Sequence, residues 1–129
     1  DDFITVLGSN AEVPALLAAA DVAICFITPT YSSLGVSPTK LGEYLAVGLP
    51  VITNAGIGDV VQIVTETDSG HVLTAFDDGA MTNSVKDLDR LMEIRAETIR
   101  ERARGWHDLP LAESRYADIY RRLQRGTRS

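Results

Sequence analysis

The sequence predicts an α/β fold, a parallel sheet flanked by helices, and three observations predict it. Short apolar runs recur at residues 3–7, 22–27, 51–53 and 70–74, each about the length of a buried strand. Between them lie stretches with apolar residues at helical spacing, and Gly, Pro, Asn or Asp stands at the junctions. Strands that alternate with helices pair in parallel and carry helices on both faces. With 129 residues the chain is one domain's worth and buries about two thirds of its unfolded surface. We read residues 1–75 as an α/β core and residues 76–129 as C-terminal helices of the same domain.

Taken in order, residues 3–7 (FITVL) read as a buried strand ending at Gly8. Asn10 is placed to cap a helix over residues 11–20, whose Val13, Leu16, Leu17 and Ala20 form one apolar stripe. Residues 22–27 are six consecutive apolar residues, as in a strand covered on both faces. A polar loop follows over residues 28–37, and ligands of open α/β sheets bind at this end of the strands. Residues 51–53 are the next strand. The glycines of residues 54–59 lack the third glycine of a dinucleotide loop, since Val61 stands there, and the helix of residues 59–67 begins at Asp59. After the strand at residues 70–74, Asp77-Asp78-Gly79 leads into a helix with Val85, Leu88, Leu91 and Met92 at helical spacing. Residues 95–104 are almost all charged and read as a solvated helix. Residues 105–110 break it, and a last helix over residues 111–125 carries Tyr116, Ile119, Tyr120 and Leu123 on one side.

The stretch that carries chemistry is residues 37–48, SPTKLGEYLAVG. Ser37 is placed to cap a helix of about ten residues, Pro38 suits its first position, and Gly48 followed by Pro50 ends it. The first amides of a helix have no internal partner, and the helix dipole adds partial positive charge. Thr39 and Lys40 therefore suit a phosphate or diphosphate. Glu43 lies on the same face as Lys40, about 6 Å along the axis from Thr39, a step matching that from a diphosphate to its ribose hydroxyls. Leu41, Tyr44 and Leu45 point toward a core. The same residues also suit a plain capped helix with Lys40 and Glu43 as a solvated pair.

Composition narrows the classes. Hydrophobic content of 45% and charged content of 23% are those of a soluble globular protein. A formal charge of -6 and a pI near 4.8 argue against nucleic acid as a partner. Residues 1–80 hold ten acidic side chains and one basic one, Lys40, whereas residues 81–129 hold eight acidic and eleven basic. The single cysteine, Cys25, reads as a buried strand thiol. His71 and His107 belong to no metal-ligand spacing, so no metal and no cofactor are expected. Without a signal peptide or a run of about eighteen apolar residues, a cytoplasmic location is expected.

The segment PTKLGEYLAVGLPVI at residues 38–52, with AADVA at 19–23 and GIGDVV at 56–61, resembles the donor half of nucleotide-sugar glycosyltransferases of the GT-B fold. It is most similar to family 4, the retaining group 1 enzymes, in the variant whose signature reads S-P-x-K-x-x-E-Y-x-A-x-G-x-P-V. The resemblance runs over residues 3–73 and implies a Rossmann-like C-terminal domain of that fold, here without its first strands. It implies a UDP- or GDP-sugar as substrate, retention of the anomeric configuration, and no metal. By matching position Glu43 binds ribose, while Pro38, Thr39, Lys40, Leu41 and Ser37 surround the diphosphate and transferred sugar. Gly8 and Ser9 match a loop near the base. No catalytic base is assigned. Many relatives carry a second Glu eight positions before the first; here that position is Gly35. The resemblance further implies an N-terminal acceptor domain in a longer parent chain, at the membrane surface or in the cytoplasm, without which this piece is inactive. A sheet without those first strands leaves an edge open to dimerisation. The alternative is a non-catalytic nucleotide-binding or regulatory module that has lost its sugar site.

Overall fold

A computed structural model describes the chain over residues 3–126. In order these form α1 (Val13–Ala18), β1 (Ala23–Cys25), a 3-10 turn (Ser32–Gly35), α2 (Thr39–Val47), β2 (Val51–Asn54), α3 (Val60–Thr67) and β3 (Gly70–Leu73). Four helices follow: α4 (Asp78–Lys86), α5 (Leu88–Met92), α6 (Ala96–His107) and α7 (Leu109–Gly126). The strands are parallel in the order β1-β2-β3, and helices link them as parallel pairing demands. This is the Rossmann-like α/β arrangement expected.

Register sorts the strand side chains onto two faces. Ala23 pairs with Val51 and Cys25 with Thr53, and this face carries the larger core: Leu41 and Leu45 of α2, Val60, Ile63 and Val64 of α3, Ile99 and Ala103 of α6. Each of these leucine, isoleucine and valine side chains contributes about 1.5–3 kcal/mol by leaving water. On the other face Ile52 and Leu73 meet Leu91 of α5. Cover there is unequal, because α4 packs on β3 and Ile24 of β1 stays 63% exposed. The expected six-residue strand covered on both faces is therefore a three-residue strand with one side open.

Residues 3–7 do not form the expected strand. Phe3, Ile4 and Leu7 are each at least 90% exposed, and no strand among the described residues takes their backbone groups. Apolar composition gives a segment the capacity for a strand, but the ladder requires a neighbour. Asn10 does not cap α1 either. The N-cap position is Glu12, without a side-chain cap, and α1 is six residues long with Pro14 in its first turn. The Glu12 carboxylate turns back instead to accept from the Ser9 amide and hydroxyl, both at 2.8 Å.

The largest correction concerns α6. Its charged sequence suggests a solvated helix, yet Ile99 is fully buried and Ala103 nearly so, and α6 packs across α2 and α3. Two apolar positions four apart suffice to seat it, while Arg100 and Arg102 donate to the Val47 and Thr67 carbonyls at the ends of α2 and α3. The expected break at residues 105–110 shrinks to Asp108, which is extended between α6 and α7. Helix α7 leaves Tyr116, Ile119, Tyr120 and Leu123 exposed. The helix after Asp77 is divided at Asp87, so Val85 and Met92 are exposed while Leu91 is buried. No helix among the described residues is long and apolar enough to cross a membrane.

Candidate functional site

Helix α2 starts one residue later than the sequence suggests. Pro38 is extended and occupies the N-cap position, so Ser37 does not cap and no side chain does. The reason is local: Pro38 keeps an extended ψ of 118°, and its carbonyl accepts from the Leu41 amide at 3.1 Å. Thr39 and Lys40 are then the first helical residues, and their amides have no partner within the helix. Leu41 supports this end from below, with its side chain 2% exposed. The other end closes as expected on Gly48 at φ 81°, whose amide donates to Leu45 O at 3.1 Å.

The loops beside α2 are tied to one another. Ser33 is buried in the 3-10 turn, and its hydroxyl donates to Gly56 O at 2.7 Å while its carbonyl accepts from Gly58 N at 3.0 Å. A side chain at Gly58 would place Cβ 2.1 Å from Val36 O, so glycine lets the two loops meet. Asn54, 2% exposed, bridges to Ile27. The carboxyl end of β1, the loop of residues 28–37 and the start of α3 are thereby held as one surface. Neither Ser33 nor Asn54 stood out in the sequence; the only local signal was a Ser three residues after Thr30, a spacing typical of hydroxyl turns.

Of the cavities that border α2, two are lined by the expected residues. Thr39 and Lys40 line one of about 380 Å³ with Phe26, Val36, Pro38 and Tyr44. Glu43 lines another of about 510 Å³ between α1 and α2, with Asn10, Val13, Leu17 and Val47. Among the described residues Lys40 and Glu43 form no ion pair, with each other or with any other group. Both are exposed. The solvated pair is therefore not formed, and a cation and a carboxylate stand on one helix with neither charge spent. Burial raises the Tyr44 phenol pKa, with the Cys25 and Glu43 charges adding to it, so the phenol stays a neutral hydrogen-bonding group.

The remaining expected residues distribute as follows. Gly35 ends the 3-10 turn, and a side chain there would meet open space. Ser37 is exposed between that turn and α2. Gly8 lies against Leu16, 2.9 Å from where a Cβ would stand. Ser9 gives its amide and hydroxyl to Glu12, which lowers the Glu12 pKa. Asp59 stands at the start of α3 with Oδ1 buried and without a hydrogen-bond partner. His107 lies beside Gly42 of α2; burial lowers its pKa, against the opposing charge of Asp59. Among the described residues no three of His, Cys, Asp and Glu converge as metal ligands would.

No curated protein and no solved structure matches the chain. A family model does: that of the group 1 glycosyl transferases aligns with residues 1–90, which include both cavities' α2 residues and the loop that ends at Asp59. The open helix end, the unspent Lys40 and Glu43, and a match over more than half of the 129 residues lead to one assignment: the chain belongs to the group 1 glycosyl transferases.

Proposed function

We propose that this chain binds the donor of a glycosyl transfer, a nucleoside-diphosphate sugar, across α2. The observation that carries the reading is the placement of Lys40 and Glu43 one turn apart on one helix, each lining a cavity beside it, with neither charge paired among the described residues. Glu43 accepts the two ribose hydroxyl protons. The Lys40 ammonium and the amides of Thr39 and Lys40 face the diphosphate, where negative charge develops as the C1–O bond to it breaks. The new C1–O bond to the acceptor hydroxyl forms on the same face, and that hydroxyl's proton leaves with the diphosphate. A helix end and an ammonium supply the electrostatic stabilisation, so the transfer proposed here needs no metal.

Calorimetric titration of UDP and GDP into the protein and its Glu43→Ala variant tests this. Removing a carboxylate that accepts ribose hydroxyls weakens binding by about 1–3 kcal/mol, the range for hydrogen bonds to a charged group. Absence of binding to both nucleotides, or equal binding by the variant, overturns the assignment. Gly35 favours a second reading, a module that keeps the nucleotide and not the sugar, since no carboxylate stands where relatives are expected to carry one and the space is open. Nucleotide binding that depends on Glu43 and is no tighter for the nucleotide sugar than for the bare nucleoside diphosphate selects that second reading.

A further inference from the structure

Helix α7 runs for 18 residues, Leu109–Gly126, and its main contact is with α6. None of residues 109–125 is buried, and only Leu111, Ala112 and Ala117 are partly covered. A helix of this length without packing is marginal in water, because helical stability in proteins comes mostly from burying an apolar face. Helix α7 has such a face and leaves it bare. Leu109, Tyr116, Ile119, Tyr120 and Leu123 fall within about 100° of arc at 3.6 residues per turn, and they are 52% to 69% exposed.

The charges of α7 are arranged around this stripe. By the same helical spacing Arg115 and Arg122 border it beside Ile119, and Arg121 and Arg125 lie on the far side. Glu113 and Asp118 are the acids of the helix, and Asp118 is paired with Arg121. Arg115, Arg122 and Arg125 make no ion pair among the described residues. Four arginines against two acids leave α7 two positive charges in excess, in a chain whose formal charge is -6.

An apolar stripe with tyrosines in it and arginines along one border suits the boundary of an anionic bilayer. The stripe enters the acyl region, the tyrosine hydroxyls sit at headgroup level, and the long arginine side chains reach the lipid phosphates. We propose that α7 lies in the plane of an anionic membrane surface and anchors the protein there. A second copy of α7 fits less well, because in a paired coil, parallel or antiparallel, neither arginine beside the stripe meets an acid of the other helix. The ten acids and one base of residues 1–80 are repelled by the same surface, which turns the α7 side toward it. None of these α7 residues belongs to the donor site, so the anchor stands or falls apart from it.

Flotation with vesicles of phosphatidylcholine alone, and of equal parts phosphatidylcholine and phosphatidylglycerol, tests the anchor. The protein is expected to float with the anionic vesicles, less so as salt is raised, and weakly with the neutral ones. Arg115→Gln combined with Arg122→Gln is expected to weaken binding about 25-fold, roughly fivefold for each charge. Tyr116→Ser combined with Ile119→Ser is expected to abolish flotation by removing apolar insertion. These side chains are exposed, so both double variants are expected to unfold in urea as the parent does. Flotation that is absent with both vesicles, equal with both, or unchanged in the two variants overturns the anchor. Light scattering on the same samples reports a second copy: a dimer that the serine variant converts to a monomer, without flotation, assigns the stripe to self-association and overturns the anchor. A monomer without flotation overturns it in favour of a protein partner.

Discussion

Asn54, at the end of β2, completes the sheet by pairing through its side chain with the backbone of Ile27. Its Oδ1 accepts from Ile27 N–H and its Nδ2 donates to Ile27 O, each at 2.9 Å. Backbone pairing of β1 with β2 ends at Cys25 and Thr53. The carboxamide therefore continues the ladder just where the chain leaves for the loop that reaches Lys40.

Asn54→Ala removes both bonds, and a third to Ala55 O, in a site from which water is excluded. Unfolding in urea is expected to show a loss of about 2–4 kcal/mol, since buried backbone groups are left unsatisfied. Asn54→Asp is not a rescue, because a carboxylate oxygen would then face Ile27 O. A loss under about 0.5 kcal/mol for the alanine variant, the range of an ordinary surface change, would show that the loop is held by other contacts.

Two glycines in helical surroundings are expected to respond in opposite directions. Gly48 has φ 81°, and its Cβ would stand 2.5 Å from Ala96 O and 2.6 Å from Ala96 Cβ. Gly48→Ala combines left-handed strain with overpacking and is expected to lose about 2–4 kcal/mol. Gly105 lies within α6, and a Cβ there meets nothing within 4 Å. Gly105→Ala is expected to gain about 0.5–1 kcal/mol from the smaller backbone entropy lost on folding. Thermal or urea denaturation of the two variants side by side checks the sign of each.

The Asp87 carboxyl ties three elements together. It accepts from Arg90 Nε at 2.7 Å and lies 3.0 Å from His71 Nδ1, while Arg90 reaches on to Asp68, which also meets Arg102. The Arg90 guanidinium holds the Asp87 pKa down at about 2 against an ordinary 3.8, with burial opposing and His71 assisting. A carboxyl depressed on folding adds stability above its unfolded pKa and loses it as pH falls through the folded value. The contribution is thus present above about pH 4 and disappears toward pH 2. Arg90 is 46% exposed, so solvent and salt limit the contribution to about 1 kcal/mol. Asp87→Asn should flatten this part of the acid stability curve, and an unchanged curve would mean that other carboxyls dominate it.

The parts legible in the sequence are those fixed by neighbours in the chain. Gly48 ends α2 through its own backbone conformation, and Asp77 caps α4 by accepting from Ala80 N. Lys40 and Glu43 come one turn apart on α2 through spacing alone, although each lines a different cavity. What sequence reading missed depended on distant partners or on competition between near ones. Ile99 and Ala103 look incidental among arginines and glutamates until α2 and α3 lie against them. Phe3 and Ile4 look like strand residues, but a strand is a property of two segments. Asn10 suits a helix start by residue type, but Ser9 and Glu12 clasp each other and α1 starts after Glu12.

Gly35 offers the sharpest test of what this site lacks. It ends the 3-10 turn beside Val36 and α2, and a side chain there enters open space without positive φ. Gly35→Glu is therefore expected to change stability by no more than about 0.5 kcal/mol, as an unstrained surface substitution does. Its carboxylate would stand where many relatives are expected to contact the transferred hexose. The donor reading then predicts that affinity for a nucleotide hexose rises relative to the bare nucleoside diphosphate, by about tenfold for one or two charged hydrogen bonds. Titration of both ligands into the variant and its parent gives that ratio directly. A ratio that does not move, in a variant that folds normally, would place the transferred sugar away from residue 35.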